Sequence, residues 1–222
     1  MIKTPVEVFS DWVHLGKDVG MESAHLPAVE NMLDYAIEDL KNFSFIDAGC
    51  GNGWVVRKAA QLSECKSVVG IDGSQTMINK AKTLDQENEY VCDDLLNWIP
   101  EEKVALVHSM EVFYYFEEPE KLIHHVFNHW LTSDSRLIIG LDFYTENEES
   151  HSWPEKCGIS IMQLYAEDTW KAFFRNAGFQ DVQSWRVGEK KDWAGTLIVT
   201  GAKTTHEDRL VQLMSKRGAS YE

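Results

Sequence analysis

The chain has 222 residues, and 44% of them are hydrophobic, which is enough for one α/β domain with a sizeable core. Acidic residues outnumber basic ones by 36 to 21, so the formal net charge at pH 7 is -15. Such a surface repels phosphate backbones and anionic lipids, and no apolar run approaches the roughly 18–20 residues that span a bilayer. We therefore expect neither a nucleic acid nor a membrane as a partner, and a small neutral or cationic molecule instead.

The N-terminus and the cysteines indicate the compartment. Residues 1–10 carry Lys3 and Glu7 and lack the apolar core of a signal peptide. The four cysteines form no C-x-x-C pair and show no zinc-finger spacing, so we expect reduced thiols. Both observations predict a cytoplasmic protein, and the sequence leaves open whether it is a monomer or a homodimer.

In chain order, residues 1–27 are mixed in character, and a helix is expected to follow Pro27. Apolar, strand-like runs then alternate with amphipathic helical stretches, a pattern that is typical of βαβ units and a parallel sheet. Strands are predicted at 43–48, 67–72, 89–92, 104–109, 136–143, 180–187 and 193–200. Helices are predicted at 54–62, 119–131 and 167–177, and another is capped by Ser74 and runs to about residue 84.

The end of the chain departs from this alternation. Residues 188–192 are too few for a crossover, so the last two strands must form an antiparallel hairpin. The predicted fold class is therefore α/β, a doubly wound, seven-stranded, mostly parallel sheet with a terminal antiparallel hairpin. The long polar segment 144–164 interrupts the pattern, and loops of this length are usually functional, which predicts a lid.

The run D-A-G-C-G-N-G at 47–53 follows an apolar strand and precedes a helix. Glycine permits positive φ in a tight turn and lets backbone approach a ligand closely. Asp72 ends the second strand, where a carboxylate can accept both hydroxyls of a ribose. Asp94, with Asp93 beside it, follows the third strand and can accept a hydrogen bond from an adenine amine. The alternatives are a plain helix N-cap for Asp72 and an exposed turn acid for Asp93 or Asp94.

On these motifs, residues 43–201 resemble the class I S-adenosylmethionine-dependent methyltransferases. The run at 47–53 is similar to the family's first motif, and G-I-D at 70–72 to its ribose-binding acid. D-D-L-L at 93–96 is similar to its adenine-side motif, with Asp94 the better match, and H-S-M-E-V at 108–112 to its fourth-strand motif. The predicted terminal hairpin agrees with the reversed seventh strand of this family.

The resemblance implies S-adenosylmethionine as the cofactor and transfer of its methyl group to a small-molecule acceptor by in-line displacement. It implies a set of cofactor-binding residues, namely Asp47, Gly49, Cys50, Gly51, Asn52, Gly53, Asp72, Gly73, Ser74, Asp93, Asp94, Leu95, His108 and Ser109. It divides the chain into an N-terminal arm and helix at 1–42, expected to cover the cofactor, a cofactor-binding domain at 43–202 and a polar tail at 203–222. One departure is Ala105, which stands where the family often has an acid.

The acceptor side is less determined by the sequence. A general base is needed only if the acceptor arrives protonated, and it would come from segments that overhang the strand tips. His25, Tyr115 and His151 are the predicted catalytic residues. Aromatic residues crowd the same segments, either as ordinary packing or as a box for a planar or cationic acceptor. No metal site is expected, because His125 and His129 at i,i+4 spacing lack a third ligand.

Two other functions are compatible with parts of the pattern. An NAD(P)-dependent oxidoreductase would use Asp72 equally well, although the glycine spacing is G-x-G-x-G instead of G-x-G-x-x-G. A non-catalytic S-adenosylmethionine-binding protein on the same fold is the second alternative, because a fold does not fix a function.

Overall fold

The computed structural model describes residues 2–38 and 40–204, and its described strands form one seven-stranded sheet in the order β3-β2-β1-β4-β5-β7-β6. The strands are β1 Phe43–Ala48, β2 Cys65–Asp72, β3 Glu89–Cys92, β4 Val104–Met110, β5 Leu131–Leu141, β6 Gln180–Val187 and β7 Thr196–Lys203. The first five pair in parallel, whereas β7 is antiparallel to both β5 and β6. This arrangement confirms the predicted fold class.

Helices flank both faces of the sheet. They are α1 Pro5–His14, α2 Val19–Ile37, α3 Trp54–Ala59, α4 Gln75–Leu84, α5 Pro119–His125, α6 Trp153–Cys157 and α7 Glu167–Ala177. Short 3₁₀ turns lie at Phe113–Tyr115 and Glu148–Ser150. None of the described helices is long and apolar enough to cross a membrane.

The core lies in two layers, one on each face of the sheet. Leu137 and Ile139 of β5 pack into the same cluster as Phe174 of α7, whereas Ile138 between them packs with Met32 of α2. Burying side chains of this size contributes about 1.5–3 kcal/mol each. Strand order reverses between β1 and β4, and ligands of open α/β sheets bind in the crevice that such a reversal leaves at the strands' carboxyl ends.

The N-terminal region differs from the prediction of a mixed segment followed by a helix after Pro27. It forms α1 and α2, and Pro27 lies inside α2. A capping box starts α1: Thr4 Oγ1 accepts from Glu7 N–H, and Glu7 Oε2 accepts from Thr4 N–H. A proline inside a helix costs roughly 3 kcal/mol. Burial of the apolar side chains that follow Pro27 in α2 offsets this cost.

The helix predicted at 119–131 is present over residues 119–130, but its type changes within that length. The α-helix α5 ends at His125, and a π-helical turn, Val126–Trp130, leads directly into β5. Trp130, at the end of this wider turn, donates from Nε1 to the Trp98 carbonyl at 2.9 Å. Amphipathic spacing does not reveal a tertiary contact of this kind.

The boundaries of the fifth and last strands were also wrong. Strand β5 starts at residue 131 instead of 136, and its pairing with β4 is irregular, with Asp134 at φ 56°. That irregularity hides the alternation on which a strand prediction rests. Strand β7 spans Thr196–Lys203 instead of 193–200, because the connection from β6 continues to Gly195 at φ 85°. Of the predicted tail at 203–222, Lys203 ends β7, and residues 205–222 lie outside the described part of the chain.

The segment 144–164 is more ordered than its composition predicted. The Tyr144 hydroxyl donates to the Gly195 carbonyl at 2.9 Å, and the segment contains α6. Its second half meets the N-terminal arm, since Lys3 N–H donates to the Gly158 carbonyl at 2.9 Å and Ser160 N–H donates to the Lys3 carbonyl at 2.8 Å. Two segments that are distant in sequence are thereby joined above the carboxyl ends of the strands.

Candidate functional site

The glycine loop connects β1 to α3 in a conformation that requires glycine. Gly49, Gly51 and Gly53 have φ values of 76°, 53° and 79°. A Cβ on Gly49 would lie 2.2 Å from a methyl carbon of Val112, whereas a Cβ on Gly51 would meet only the Met77 sulfur at 3.9 Å. The loop is therefore packed tightly on one side and presents bare backbone to the crevice on the other.

Asp72 stands at the tip of β2 with its carboxylate held by backbone. Oδ2 accepts from Gly51 N–H at 2.9 Å and Oδ1 accepts from Ser74 N–H at 2.7 Å. Burial raises the pKa of Asp72 above its ordinary value, and these two hydrogen bonds oppose that effect. The N-cap of α4 is Ser74, whose Oγ accepts from Met77 N–H at 3.2 Å. The plain N-cap alternative for Asp72 therefore fails.

The two acids after β3 differ in what their side chains do. Asp94 uses one carboxylate oxygen for Leu96 N–H, at 3.0 Å, and the other for the Asn97 side-chain amide, at 2.9 Å. Asp93 uses Oδ1 for Asp94 N–H at 2.7 Å. Both acids, together with Leu95, line a cavity beside the glycine loop.

Asp47, His108 and Ser109 lie within strands beneath the glycine loop. His108 Nδ1 is 2.7 Å from Asp47 Oδ1, and both side chains are buried. Ser109 Oγ donates to the Ala48 carbonyl at 2.7 Å. These side chains tie β1 to β4 at the point where strand order reverses, and the predicted direct contact of His108 and Ser109 with cofactor stays a prediction.

A buried polar cluster joins the glycine loop to the start of α2. Asp18 Oδ2 accepts from the Asn52 amide at 2.9 Å and from Lys80 Nζ at 2.6 Å. Burial opposes ionisation of Asp18, but the bonds from Lys80 and Asn52 outweigh it, and the pKa of Asp18 lies below its ordinary value. The remaining oxygens, Asp18 Oδ1 and Asn52 Oδ1, are buried without a hydrogen-bond partner among the described residues.

The cavity beside the glycine loop has a volume of about 480 Å³ and runs along the strand tips. Helix α1 forms its outer wall, and Ser10 Oγ of this helix lies 2.7 Å from Ser74 Oγ. The lining residues are Pro5, Val6, Phe9, Met21, Gly49, Gly51, Asp72, Gly73, Met77, Asp93, Asp94, Leu95, Met110, Glu111, Val112, Tyr115 and Phe116. Of the predicted cofactor-binding residues, the lining thus includes Gly49, Gly51, Asp72, Gly73 and the 93–95 group.

A second cavity of about 370 Å³ shares Phe9, Met21, Glu111 and Tyr115 with the first. It lies between α1, α2 and the 153–162 part of the overhanging segment. Its lining residues are Phe9, Trp12, Met21, His25, Glu111, Tyr115, Trp153, Lys156, Cys157, Ile159 and Met162. A small cavity lined by Asp18, Asn52 and Asp47 also contains Glu111 in its wall.

Met21 and Glu111 border all three cavities, and Glu111 is the one of the two that carries an ionisable group. It follows β4 directly, with φ 62°, and its Oε2 accepts from the Tyr114 hydroxyl at 2.5 Å. Its Oε1 accepts from Asp142 N–H. Burial and the charge of Asp142 raise the pKa of Glu111 well above its ordinary value.

Glu111, Asp142 and Asp18 were not predicted as site residues. Glu111 and Asp142 each follow the buried end of a parallel strand, which is the same signal that identified Asp72. Applying that signal to every strand would have found both. Asp18 had no such signal, because only the tertiary packing of α2 on the loop brings it to Asn52.

The three predicted catalytic residues lie in different environments. His25 lines the second cavity with Nδ1 3.7 Å from Asp142 Oδ2, and burial lowers the pKa of His25 more than Asp142 raises it. Burial and Glu111 raise the pKa of Tyr115 far above its ordinary value, so its hydroxyl keeps its proton. His151 is exposed, with Nε2 3.0 Å from the Thr145 carbonyl, and it is outside the second-cavity lining.

The sheet order, the glycine loop and the acids at successive strand tips define a class I, Rossmann-like methyltransferase fold. The methyltransferase domain family matches residues 22–184, which is most of the chain. The chain therefore belongs to the S-adenosylmethionine-dependent methyltransferases.

Individual proteins of this kind are similar over different lengths. The provisionally assigned methyltransferase 235L of Invertebrate iridescent virus 6 is 29% identical over 147 residues, 66% of this chain and 51% of the viral protein. Trans-aconitate 2-methyltransferase of Escherichia coli O1:K1 is 27% identical over 100 residues, 45% of this chain and 39% of the enzyme. The chain thus spans about half or less of the length of these two relatives.

Solved structures show the same fold. A complex between a Haloferax volcanii methyltransferase activator and a provisionally assigned methyltransferase matches with a TM-score of 0.80 and 21% identity, over 92% of this chain and 100% of the other. The N-methyltransferase NodS of Bradyrhizobium japonicum with S-adenosyl-L-homocysteine matches with a TM-score of 0.64 and 16% identity, over 80% and 86% of the two chains.

Proposed function

We propose that this protein transfers the methyl group of S-adenosylmethionine to a small-molecule acceptor held in the second cavity. The observation that carries the proposal is the shared wall at Glu111 and Tyr115, where a cavity beside the glycine loop adjoins a separate, largely apolar cavity. Two adjoining cavities suit a reaction in which a donor and an acceptor must meet in line.

The residues present fit the cofactor. Asp72 would accept the ribose hydroxyls on the lone pairs that its two backbone hydrogen bonds leave free. The unpartnered oxygens of Asp18 and Asn52 suit the ammonium group of the methionyl part. Leu95 and Asp93 would receive the adenine, and we favour Asp93 over Asp94 as the acceptor because Asp94 already bonds the turn with both oxygens.

When bound, the cofactor supplies an electrophilic methyl group on a positively charged sulfur. The protein's contribution is to hold the acceptor in line and to exclude water, and positioning of this kind supplies roughly 7–11 kcal/mol of the barrier. The apolar side chains of the second cavity would keep water out, and Tyr115 and His25, which line it, would orient the acceptor by hydrogen bonds. His151, which lies outside the lining of the second cavity, would reach the acceptor only if the overhanging segment moved.

We further propose that α1 and the 144–164 segment close over both cavities. Pro5, Val6 and Phe9 of α1 line the cofactor cavity, and the bridge from Lys3 to Gly158 and Ser160 couples this wall to the acceptor side. The two segments would thus open and close together when substrates enter.

Calorimetric titration tests the cofactor. We expect one equivalent of S-adenosylhomocysteine to bind, and NAD to give no comparable heat. Tight binding of NAD with none of S-adenosylhomocysteine would favour the oxidoreductase alternative instead. Turnover of a labelled methyl donor with a mixture of small metabolites then separates an enzyme from a non-catalytic binding protein.

A second proposal is that this chain acts together with a protein partner. The Haloferax neighbour was solved with a methyltransferase activator, and this chain matches the whole of the neighbour's chain. Light scattering on the purified protein measures its oligomeric state, which we propose to be a monomer or a homodimer. Aggregation or inactivity of the isolated chain would make an activator subunit the next partner to seek.

A further inference from the structure

The charge distribution of the second cavity indicates which acceptor it takes. Among the described residues that line this cavity, Glu111 is the only acid, and it lies on the wall shared with the cofactor cavity. Among the described residues, no Lys, Arg or His nitrogen forms an ion pair with its carboxylate. The carboxylate is thus left without a countercharge at the place where the acceptor atom must stand.

The carboxylate of Glu111 is fixed in one orientation. Its two oxygens accept from the Tyr114 hydroxyl and from Asp142 N–H, and its backbone has the left-handed φ of 62°. A non-glycine residue in this region of φ is uncommon and is often found at functional sites. Each oxygen retains a lone pair, so the group can accept a further hydrogen bond without moving.

Burial and the charge of Asp142 raise the pKa of Glu111, so a bound cation stabilises its ionised form. Asp142, only 5% exposed, is beside it and carries a further acidic group. His25, on the other side, is driven towards its neutral form by burial. The Tyr114 and Tyr115 hydroxyls beside Glu111 keep their protons and supply no positive charge, because burial raises the pKa of both.

The remaining walls suit the organic part of a cation. Phe9 packs edge to face against Trp12 at 5.1 Å and against Tyr115 at 5.3 Å, and Trp153 also lines the cavity. Aromatic faces attract ammonium groups. The one lysine among the described lining residues, Lys156, is exposed, and no arginine is among them. An acceptor with a carboxylate would therefore approach Glu111 without a guanidinium group to bind it.

We infer that the acceptor is an amine with an apolar or aromatic body, whose nitrogen binds to Glu111. This inference rests on the proposed function. In its ionised form, Glu111 accepts one proton from the incoming ammonium group, which frees the nitrogen lone pair. The nitrogen then forms a bond to the methyl carbon as the carbon–sulfur bond breaks, and that electron pair stays on sulfur. The positive charge passes from sulfur to the methylated nitrogen, and Glu111 returns its proton to solvent after release.

Thermal stability of the protein saturated with S-adenosylhomocysteine provides a test that does not need turnover. The probes are primary amines such as 2-phenylethylamine, each paired with the alcohol of the same shape and with a carboxylate of similar size. We expect the amines to raise the melting temperature more than their paired alcohols and carboxylates. If no amine exceeds its pair, the inference is overturned, whereas failure of S-adenosylhomocysteine itself to bind would overturn the proposed function.

Substitution then assigns the effect to Glu111. We expect Glu111→Gln to abolish the preference for amines and to lower kcat/KM for an accepted amine by about 100-fold or more, as for loss of a general base. Its affinity for S-adenosylhomocysteine should stay within a few-fold of the wild type. Glu117→Gln removes one exposed carboxylate of the same segment and controls for net charge. Equal amine preference in the wild type and Glu111→Gln would contradict the assignment.

Discussion

Asp72 is the single side chain on which we expect cofactor affinity to depend most. Its carboxylate is already held by Gly51 and Ser74, so it needs no rearrangement to bind a ribose. Hydrogen bonds to a charged group contribute about 1.5–3 kcal/mol, so we expect Asp72→Asn to weaken binding of S-adenosylhomocysteine roughly 10- to 100-fold. Calorimetry measures this, with the exposed Asp168→Asn as control. Unchanged affinity in a folded Asp72→Asn protein would refute the role.

We expect the ionised side chain of Glu111 to destabilise the folded protein. Its folded-state pKa lies well above the ordinary value of 4.5, because burial and Asp142 disfavour its charge. The unfolded chain therefore loses this proton at lower pH than the folded protein, and the residue's contribution to stability falls as pH rises from its ordinary pKa through the raised one. Glu111→Gln removes that titration.

We accordingly expect the stability of Glu111→Gln relative to the wild type to increase as the pH rises above the ordinary carboxyl pKa of 4.5. Urea unfolding at several pH values measures the difference, and Glu117→Gln should show no such trend. A relative stability that declines as pH rises would mean that the Glu111 carboxylate is better stabilised in the fold than in solvent.

At the scale of elements, the glycine loop is defined by both conformation and space. Gly49→Ala must place a side chain at φ 76° and against Val112, whereas Gly16→Ala has a similar φ of 68° with nothing within 4 Å. The backbone conformation costs roughly 1–2 kcal/mol and overpacking a further 1–3. Urea unfolding should therefore show a larger loss for Gly49→Ala, partly restored by Val112→Ala. Equal losses at both glycines would show that Val112 yields freely.

Helix α1 is the element whose behaviour should change most with cofactor. It forms the outer wall of the cofactor cavity and is tied to Ser74 through Ser10. We expect S-adenosylhomocysteine to slow hydrogen exchange of amides in α1, with little change in α7, whose position is set by the core. Exchange in α1 that does not respond to a bound cofactor would exclude it as a lid.

The sequence predicted elements well where local periodicity and packing agree. β1, β3 and α7 have the predicted boundaries, and their signals are apolar runs, helical spacing and the terminal Gly178. Prediction failed where tertiary contacts override local preference, as at Pro27 inside α2. The cofactor side was readable because a glycine loop and strand-tip acids are local signals. The acceptor side brings together residues as distant as Phe9 and Trp153, and no local pattern shows that juxtaposition.

For the whole molecule, the net charge of -15 should assist capture of a cationic acceptor. Long-range attraction of this kind is screened by salt, since the Debye length falls from about 10 Å at 0.1 M to about 3 Å at 1 M. We expect kcat/KM for an amine acceptor to fall as salt is added. The affinity for S-adenosylhomocysteine, which has no net charge, serves as the control and should change little. If kcat/KM for the amine does not change with salt, the net charge plays no part and the amine is recognised by Glu111 and its immediate neighbours alone.

A crystal structure of the protein with S-adenosylhomocysteine tests the central claim most directly. The account predicts ribose hydroxyls on Asp72, the amino group beside Asp18 and Asn52, and the sulfur directed towards Glu111 and the second cavity. A ligand whose ribose lies away from Asp72, or whose sulfur points away from Glu111, would contradict it.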